Sequence, residues 1–365
     1  MKTTQDAKAL IENYDGRPLR IMEVCGTHTH EIFRLGIRSL LPESVKLISG
    51  PGCPVCVTPA GYIDEAVFLA LEKGVTICTF GDLVRVPGTK MSLAGARGSG
   101  AKIKTVYSPQ DAHSYAARHP EEQVCFLSVG FETTTPSSCI ALENAVKSGI
   151  SNFSLLTANK TMPGAYRALK GSADAFLYPG HVHAITGTAL CREMAAQGVS
   201  GVIAGFTADE LITALAVILV KIKSGEPFFV NCYPRVVTDE GNRAAAAYIN
   251  KYMKECDAIW RGLGKIEGSG LMLRDEYASY DARIKYDIPE MKGKGQTLCR
   301  CGDILKGDIT PPQCPLFGKA CTPDHPAGAC MVSAEGACSA FFQYGCAQQE
   351  NRPRAFGCGK RKAEL

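Results

Sequence analysis

Between residue 19 and about residue 225, short apolar runs alternate with amphipathic stretches, and this rhythm restricts the fold more than any other feature of the chain. The runs are LRIMEV (19–24), VKLIS (45–49), VTICTF (75–80), IKTVY (103–107), QVCFLSV (123–129), FSLLTA (153–158), AFLYP (175–179) and GVIAGF (201–206). Runs of this length, rich in β-branched and aromatic residues, read as buried strands. The stretches between them, such as YIDEAVFLALEKG and TADELITALAVILVKIKSG, carry apolar residues at helical spacing. Apolar strands alternating with helices predict an α/β fold of parallel sheets covered on both faces. Two sheets of about four strands suit the span, with a break at RHPEE near 115–122. The expected organisation is therefore two similar parallel-sheet α/β domains, 19–118 and 119–227. A third, helical and Cys-rich unit covers 228–365, with residues 1–18 packing on it. A long helix is expected over 239–262.

That last unit carries an unusual load of sulfur. Cys299, Cys301, Cys314, Cys321, Cys330, Cys338, Cys346 and Cys358 all fall after residue 298. The amino-terminal stretch MKTTQDAKALIENYDG has scattered charges and no apolar centre, so it does not read as a secretory signal. No run of about 18 apolar residues occurs, so no membrane span is expected. A cytoplasmic location follows as the expectation, and there clustered thiols serve as metal ligands or redox groups more often than as disulfides. Forty basic against 36 acidic side chains leave a formal charge of +4. With no basic run before the tail GKRKAEL, this balance gives no footprint for nucleic acid.

The chemistry-bearing residues follow the strands. After LRIMEV comes Cys25-Gly-Thr-His28-Thr-His30, and after VKLIS comes Gly50-Pro-Gly-Cys53-Pro-Val-Cys56. QVCFLSV leads to Gly130-Phe-Glu132, and AFLYP to Gly180-His181-Val-His183. Ligands of open α/β sheets bind outside the carboxyl ends of the strands, so these turns can share one cleft. Cys25 with His28 offers a soft thiolate beside imidazole, suited to iron, zinc or copper(I). At a helix start its thiol is expected to have a lowered pKa. The C-x-x-C spacing of Cys53 and Cys56 suits a reversible disulfide or half of a zinc site. Glu132 and His181 read either as acid–base groups or as ordinary helix-start residues. The carboxyl-terminal cysteines lack the close pairs of zinc knuckles; on loops rich in Gly and Pro, four thiolates such as Cys314, Cys321, Cys330 and Cys338 suit a [4Fe–4S] cluster. Val86-Pro-Gly88-Thr-Lys90 lacks the spacing of a phosphate loop, and no G-x-S-x-G nucleophile turn occurs.

Taken together, Cys25-GTHTH, Gly50-PGCPVCVTP, Val86-PGTKMSLAGARGSGAKIKTVYSP, Gly130-FETTTP, Tyr178-PGHVHAI and Cys314-PLFGKACTPDHPAGACMVSAEGAC resemble the HypD family of [NiFe]-hydrogenase maturation proteins. The resemblance spans most of the chain. It implies two similar α/β domains and a third holding a [4Fe–4S] cluster. It further implies a scaffold that, in a stable complex with HypC, assembles the Fe(CN)2CO unit of the hydrogenase. Cyanide comes from HypE, with HypF upstream, and the unit passes on to the hydrogenase large subunit. Carried over, Cys25 binds the iron opposite a cysteine of HypC, with His28 assisting. Cys53 and Cys56 form a redox pair linked to the cluster, and Glu132 and His181 line the same cleft. At His183 the family pattern has a small residue, so no ligand role is carried to it. Two rival readings are a stand-alone iron–sulfur thiol–disulfide reductase, which needs the cluster and the pair but neither Cys25 nor His28, and a zinc-stabilised binding module. A scaffold reacting once per iron and a turnover enzyme are equally open.

Overall fold

The computed structural model describes residues 3–295 and 297–345. Cys346, Cys358 and the basic tail lie outside the described residues. Within them, each of the eight apolar runs contributes a strand: β1 Leu19–Glu23, β2 Val45–Ser49, β3 Thr76–Thr79, β4 Ile103–Thr105, β5 Val124–Gly130, β6 Phe153–Lys160, β7 Ala175–Pro179 and β8 Gly201–Ala204. Three more follow, β9 Phe229–Asn231, β10 Met253–Trp260 and β11 Gly264–Leu273. The first sheet has the order β2-β1-β7-β8-β9 and is parallel throughout. The second runs β10-β11-β6-β5-β3-β4; β4, β3, β5 and β6 are parallel, and the hairpin β10–β11 closes one edge antiparallel.

Each sheet draws strands from both sides of the expected 118/119 boundary. The chain lays down β1 and β2, leaves to build β3–β6, returns for β7–β9, and leaves again for the hairpin. The central strands β5 and β7 are buried along their whole length, as strands covered on both faces must be.

The expected helix over 239–262 divides in two. Arg243–Tyr252 is helical, but Met253–Trp260 is β10, an edge strand with alternating burial. The amino-terminal helix Thr4–Glu12 packs away from the Cys-rich unit. It starts at a capping box between Thr3 and Asp6 and buries Ala7 and Ile11 against the helix Ala208–Lys221, over the first sheet. Residues 297–345 form short helices, including Cys301–Lys306, Ala329–Val332 and Ala337–Ala340, joined by turns. Their buried side chains share one core with Met22 and Phe176 of the first sheet and with Phe131 and Trp260 beside the second. The Cys-rich segment is thus seated between the sheets and has no separate apolar core. Among the described residues no helix is long and apolar enough to cross a membrane.

Candidate functional site

Cys25 is the residue that β1 hands to the helix Gly26–Arg34, and Cys53 plays the same part for the short helix Pro54–Val57. Two backbone contacts fasten these starts together. The Gly26 N–H donates to the Gly52 carbonyl at 2.9 Å. Gly52 passes so close to Cys25 that a methyl there would collide with the Cys25 backbone nitrogen and Cα. A residue with no side chain is therefore what lets the C-x-x-C turn cross Cys25. Pro54 supplies a fixed first helical residue, and the Cys53 sulfur accepts the Cys56 N–H at 3.2 Å.

Cys25, Cys53 and Cys56 are all buried. Burial pushes the Cys25 thiol up to about 12, against the pull of the His28 and Thr27 N–H groups at the helix start; the Glu335 carboxylate adds to the rise. Desolvation thus outweighs the helix terminus, reversing the expected lowering. Glu335 is tied to the same helix, its Oε1 accepting the Thr27 hydroxyl at 2.6 Å. It lies between Cys330 and Cys338, and sequence reasoning did not single it out.

His28 is fully buried, and burial drives its imidazole down to about 4, so it is neutral. Its Nε2 stands 3.0 Å from the Gly205 carbonyl. That contact assigns the proton to Nε2 and leaves Nδ1 a bare acceptor; Nδ1 is buried with no hydrogen-bond partner among the described residues. Phe206 packs on His28 with ring centroids 4.7 Å apart and stacks on His181 at 3.8 Å. His181 is exposed, so the row runs from the interior to the surface. Glu132 is buried; its Oε1 accepts the Met162 N–H at 2.8 Å and its Oε2 has no partner. Burial pushes its carboxyl up to about 7. Tyr166 lies within electrostatic reach of both Glu132 and Cys25. His183 is buried and satisfied: its Nδ1 meets the Gly187 carbonyl at 2.9 Å, and its Nε2 lies 3.4 Å from both the Cys191 sulfur and the Tyr166 oxygen. It is a core histidine.

Cys314, Cys321, Cys330 and Cys338 line one small hollow together with Cys299 and Cys301, which sequence reasoning had left outside the ligand set; apolar Ile304, Leu316, Phe317 and Met331 complete the wall. Cys338 feels four of the other thiols after burial has raised its own. The hollow also connects to the C-x-x-C pair. Contacts from the Cys301 thiol and then the Cys56 thiol push the Cys330 thiol down. Burial, followed by contacts with Cys330 and Cys53, raises the Cys56 thiol. Sulfur therefore follows sulfur from Cys301 through Cys330 and Cys56 to Cys53.

This donor set fits an iron–sulfur cluster in chemistry: thiols alone as donors, in an apolar wall, with the Ala327 N–H donating to the Cys321 sulfur at 3.3 Å. Gly328 forms part of the cradle, since a Cβ there would lie 2.6 Å from the Cys299 sulfur and 3.0 Å from that of Cys301. Among the described residues no three His, Cys, Asp or Glu side chains converge on a point that would hold one ion. A structural zinc gathers four donors about 2.0–2.3 Å from one centre, whereas an iron–sulfur cluster spreads its thiolate ligands over several metal atoms.

Fold and site together define an α/β protein with a buried thiol centre between one parallel and one largely parallel sheet. A family model described as "HypD: Hydrogenase formation hypA family" matches residues 2–345, and the chain belongs to this hydrogenase-maturation family. It is 42% identical over 339 residues to the hydrogenase maturation factor HypD of Rhodobacter capsulatus, covering 90% of each chain. Identity is also 42%, over 341 residues, to that of Escherichia coli (strain K12), covering 92% of this chain and 91% of the relative. The hydrogenase expression/formation protein HupD of Azotobacter chroococcum is 40% identical over 351 residues, 93% of each chain. A solved chloroplast FtsY from Physcomitrella patens aligns at 15% identity over 68% of this chain and 72% of its own, with a TM-score of 0.17, too low to bear on the fold.

Proposed function

We propose that this hydrogenase-maturation protein is a cytoplasmic scaffold on which, with HypC, an iron ion acquires two cyanides and one carbon monoxide. The iron with its ligands is cargo. Cys25 is its thiolate ligand on this chain, opposite a cysteine of HypC, and His28 assists through its bare Nδ1. HypE, with HypF upstream, supplies cyanide, and the finished unit leaves for the hydrogenase large subunit. Cys314, Cys321, Cys330 and Cys338 hold a [4Fe–4S] cluster, which when bound supplies single electrons. Cys53 and Cys56 cycle between dithiol and disulfide, releasing two electrons and two protons on oxidation. Glu132, its carboxyl pushed up to about 7, and the exposed His181 take up protons from the cleft.

The observation that carries this reading is the pairing of Cys25 with the C-x-x-C turn, fastened at Gly26 and Gly52, while Cys56 touches Cys330 of the thiol hollow. A stand-alone reductase uses the second contact and has no use for the first. The test is infrared spectroscopy of protein purified anaerobically with HypC. Bands of metal-bound cyanide and carbon monoxide are expected for the natural chain and absent from Cys25→Ala, whose iron–sulfur absorbance persists. Undiminished bands in that variant would remove Cys25 from the iron site.

A further inference from the structure

Thr27 and His30 belong to the Cys25 motif, yet the function proposed above gives their side chains no task. With Phe33 they recur every third residue along the helix Gly26–Arg34, which puts all three in one stripe. His28 leaves that stripe and points to Gly205 and Phe206 beyond β8. The stripe meets the Cys-rich segment. The Thr27 hydroxyl donates to Glu335 Oε1 at 2.6 Å, the length of a hydroxyl bonded to an ionised carboxylate. The His30 Nδ1–H donates to the Ala334 carbonyl at 3.2 Å, and its ring meets Tyr344 edge-on at 5.4 Å. Phe33 meets Phe341 edge-on at 5.5 Å.

The stretch that receives these contacts is tied to the thiol hollow. Gly336 passes so close to the Cys330 backbone that no methyl would fit. Ser333 closes the turn, its carbonyl accepting the Gly336 N–H at 2.9 Å and its hydroxyl the Glu335 N–H at 3.3 Å. Cys338 follows in the helix Ala337–Ala340. On the other side, a Cβ at Gly26 would lie 2.6 Å from Glu335 Cβ, 2.8 Å from Glu335 Oε2 and 3.2 Å from Cys53 Cβ. Gly26, the residue after Cys25, is thus gripped between Glu335 and the C-x-x-C turn. We infer that Glu335 is a positioning residue for Cys25: through the Thr27 hydroxyl and against Gly26 it latches the first turn of the Cys25 helix to the segment that carries Cys330 and Cys338. Cys25 is set over the C-x-x-C turn only while that segment is seated, so seating of the thiol hollow precedes iron loading. The role of Cys25 rests on the function proposed above; the latch does not.

The experiment uses the full chain, purified anaerobically as wild type, Glu335→Ala, Glu335→Gln, Thr27→Val and the double variant Glu335→Ala/Thr27→Val. Iron and acid-labile sulfide are counted. Alkylation by iodoacetamide is followed peptide by peptide in a mass spectrometer, with Cys139, buried in a different core, as the reference. In Glu335→Ala and Thr27→Val the rate at Cys25 relative to Cys139 is expected to rise about tenfold, the worth of one hydrogen bond to a charged group, at unchanged iron and sulfide. Glu335→Gln keeps an acceptor for Thr27 and lies closer to wild type. The double variant is no faster than either single, because both remove the same bond. Infrared bands of metal-bound cyanide and carbon monoxide in the complex with HypC fall as the Cys25 rate rises. Unchanged Cys25 rates in loaded Glu335→Ala and Thr27→Val overturn the inference, as do additive effects in the double variant or faster alkylation with undiminished bands. Should Glu335→Ala lose iron and sulfide, Thr27→Val, which lies outside the Cys-rich segment, decides by the same ratio. Equal acceleration at Cys139 reports general unfolding and overturns the latch. A wild-type complex without the bands refutes the proposed function and the order of iron loading with it, while the alkylation ratios still decide the latch.

Discussion

At the scale of single residues, the sharpest constraint is steric and sits at Gly52. The C-x-x-C turn crosses Cys25 within backbone contact, and a single methyl at Gly52 is enough to prevent it. Gly52→Ala is expected to cost more than about 2 kcal/mol, because the collision is with backbone and no side-chain rotation relieves it. Gly98 provides the contrast: it ends a short helix, and a Cβ there meets nothing within 4 Å. Gly98→Ala should be neutral or stabilise by about 0.5–1 kcal/mol. Urea unfolding of both variants checks the pair, and equal effects would show that the Gly52 crossing is not rigid. That Cys25, Cys53, Cys56, Glu132 and His181 stand just beyond strand ends was legible in the sequence, since each follows an apolar run. The environment of each was not. The reversal at Cys25 arises from burial, with the Gly52 turn packed on its backbone and the distant Glu335 adding to the rise, which no local spacing encodes.

Among the elements, strands bounded by turn residues declared themselves and the hairpin did not. The helix Arg243–Tyr252 passes straight into β10, and no Gly or Pro occurs from Arg243 to Trp260, so the helical spacing reads on to Trp260. β11 contains Gly268 and Gly270, which weaken a strand signature. What holds these residues extended is the pairing of β10 with β11, anchored on the distant β6 at Gly270 and Leu271. At the end of β6 that pairing buries Lys160, whose Nζ reaches only the Ala158 carbonyl at 3.5 Å and lies 5.9 Å from the Trp260 ring centroid. Burial pulls its ammonium from the ordinary 10.5 down to about 8, and the Arg283 charge adds to the shift. A base with a lowered folded pKa leaves the unfolded chain holding more protons between pH 8 and 10.5. Stability from this group therefore rises with pH across that window, and the penalty is complete below pH 8. Lys160→Met should stabilise the protein at pH 7 by up to roughly 3 kcal/mol, with the gain shrinking towards pH 10. Urea midpoints of both proteins at the two pH values test this; a gain of equal size at both would show that charge is not the cause.

For the whole molecule, the decisive feature is that the chain visits each sheet twice. Strand composition and helix periodicity predict parallel sheets, but the order β2-β1-β7-β8-β9 is set by which crossovers can be closed, and apolar patterning carries no label for its partner. The amino-terminal helix illustrates the same gap: Ala7 and Ile11 announce a buried face without naming the helix that covers it. The interleaving has a consequence for the thiol centre. Turns from both sheets and from the Cys-rich segment reach one core, so sulfur from residues 53 to 338 meets between bodies that are each built on their own sheet. The Cys-rich segment has no such support. Its described helical turns are of three to six residues, too short to persist alone, and many of its buried side chains are thiols. Under the cluster reading, metal ligation contributes much of what keeps it in place. Anaerobic removal of iron with a chelator should therefore open residues 297–345 to proteolysis and amide exchange, while β5–β8 stay protected. If the segment stays equally protected after iron and sulfide are gone, packing against the sheets alone holds it, and the cluster has no structural role in this chain.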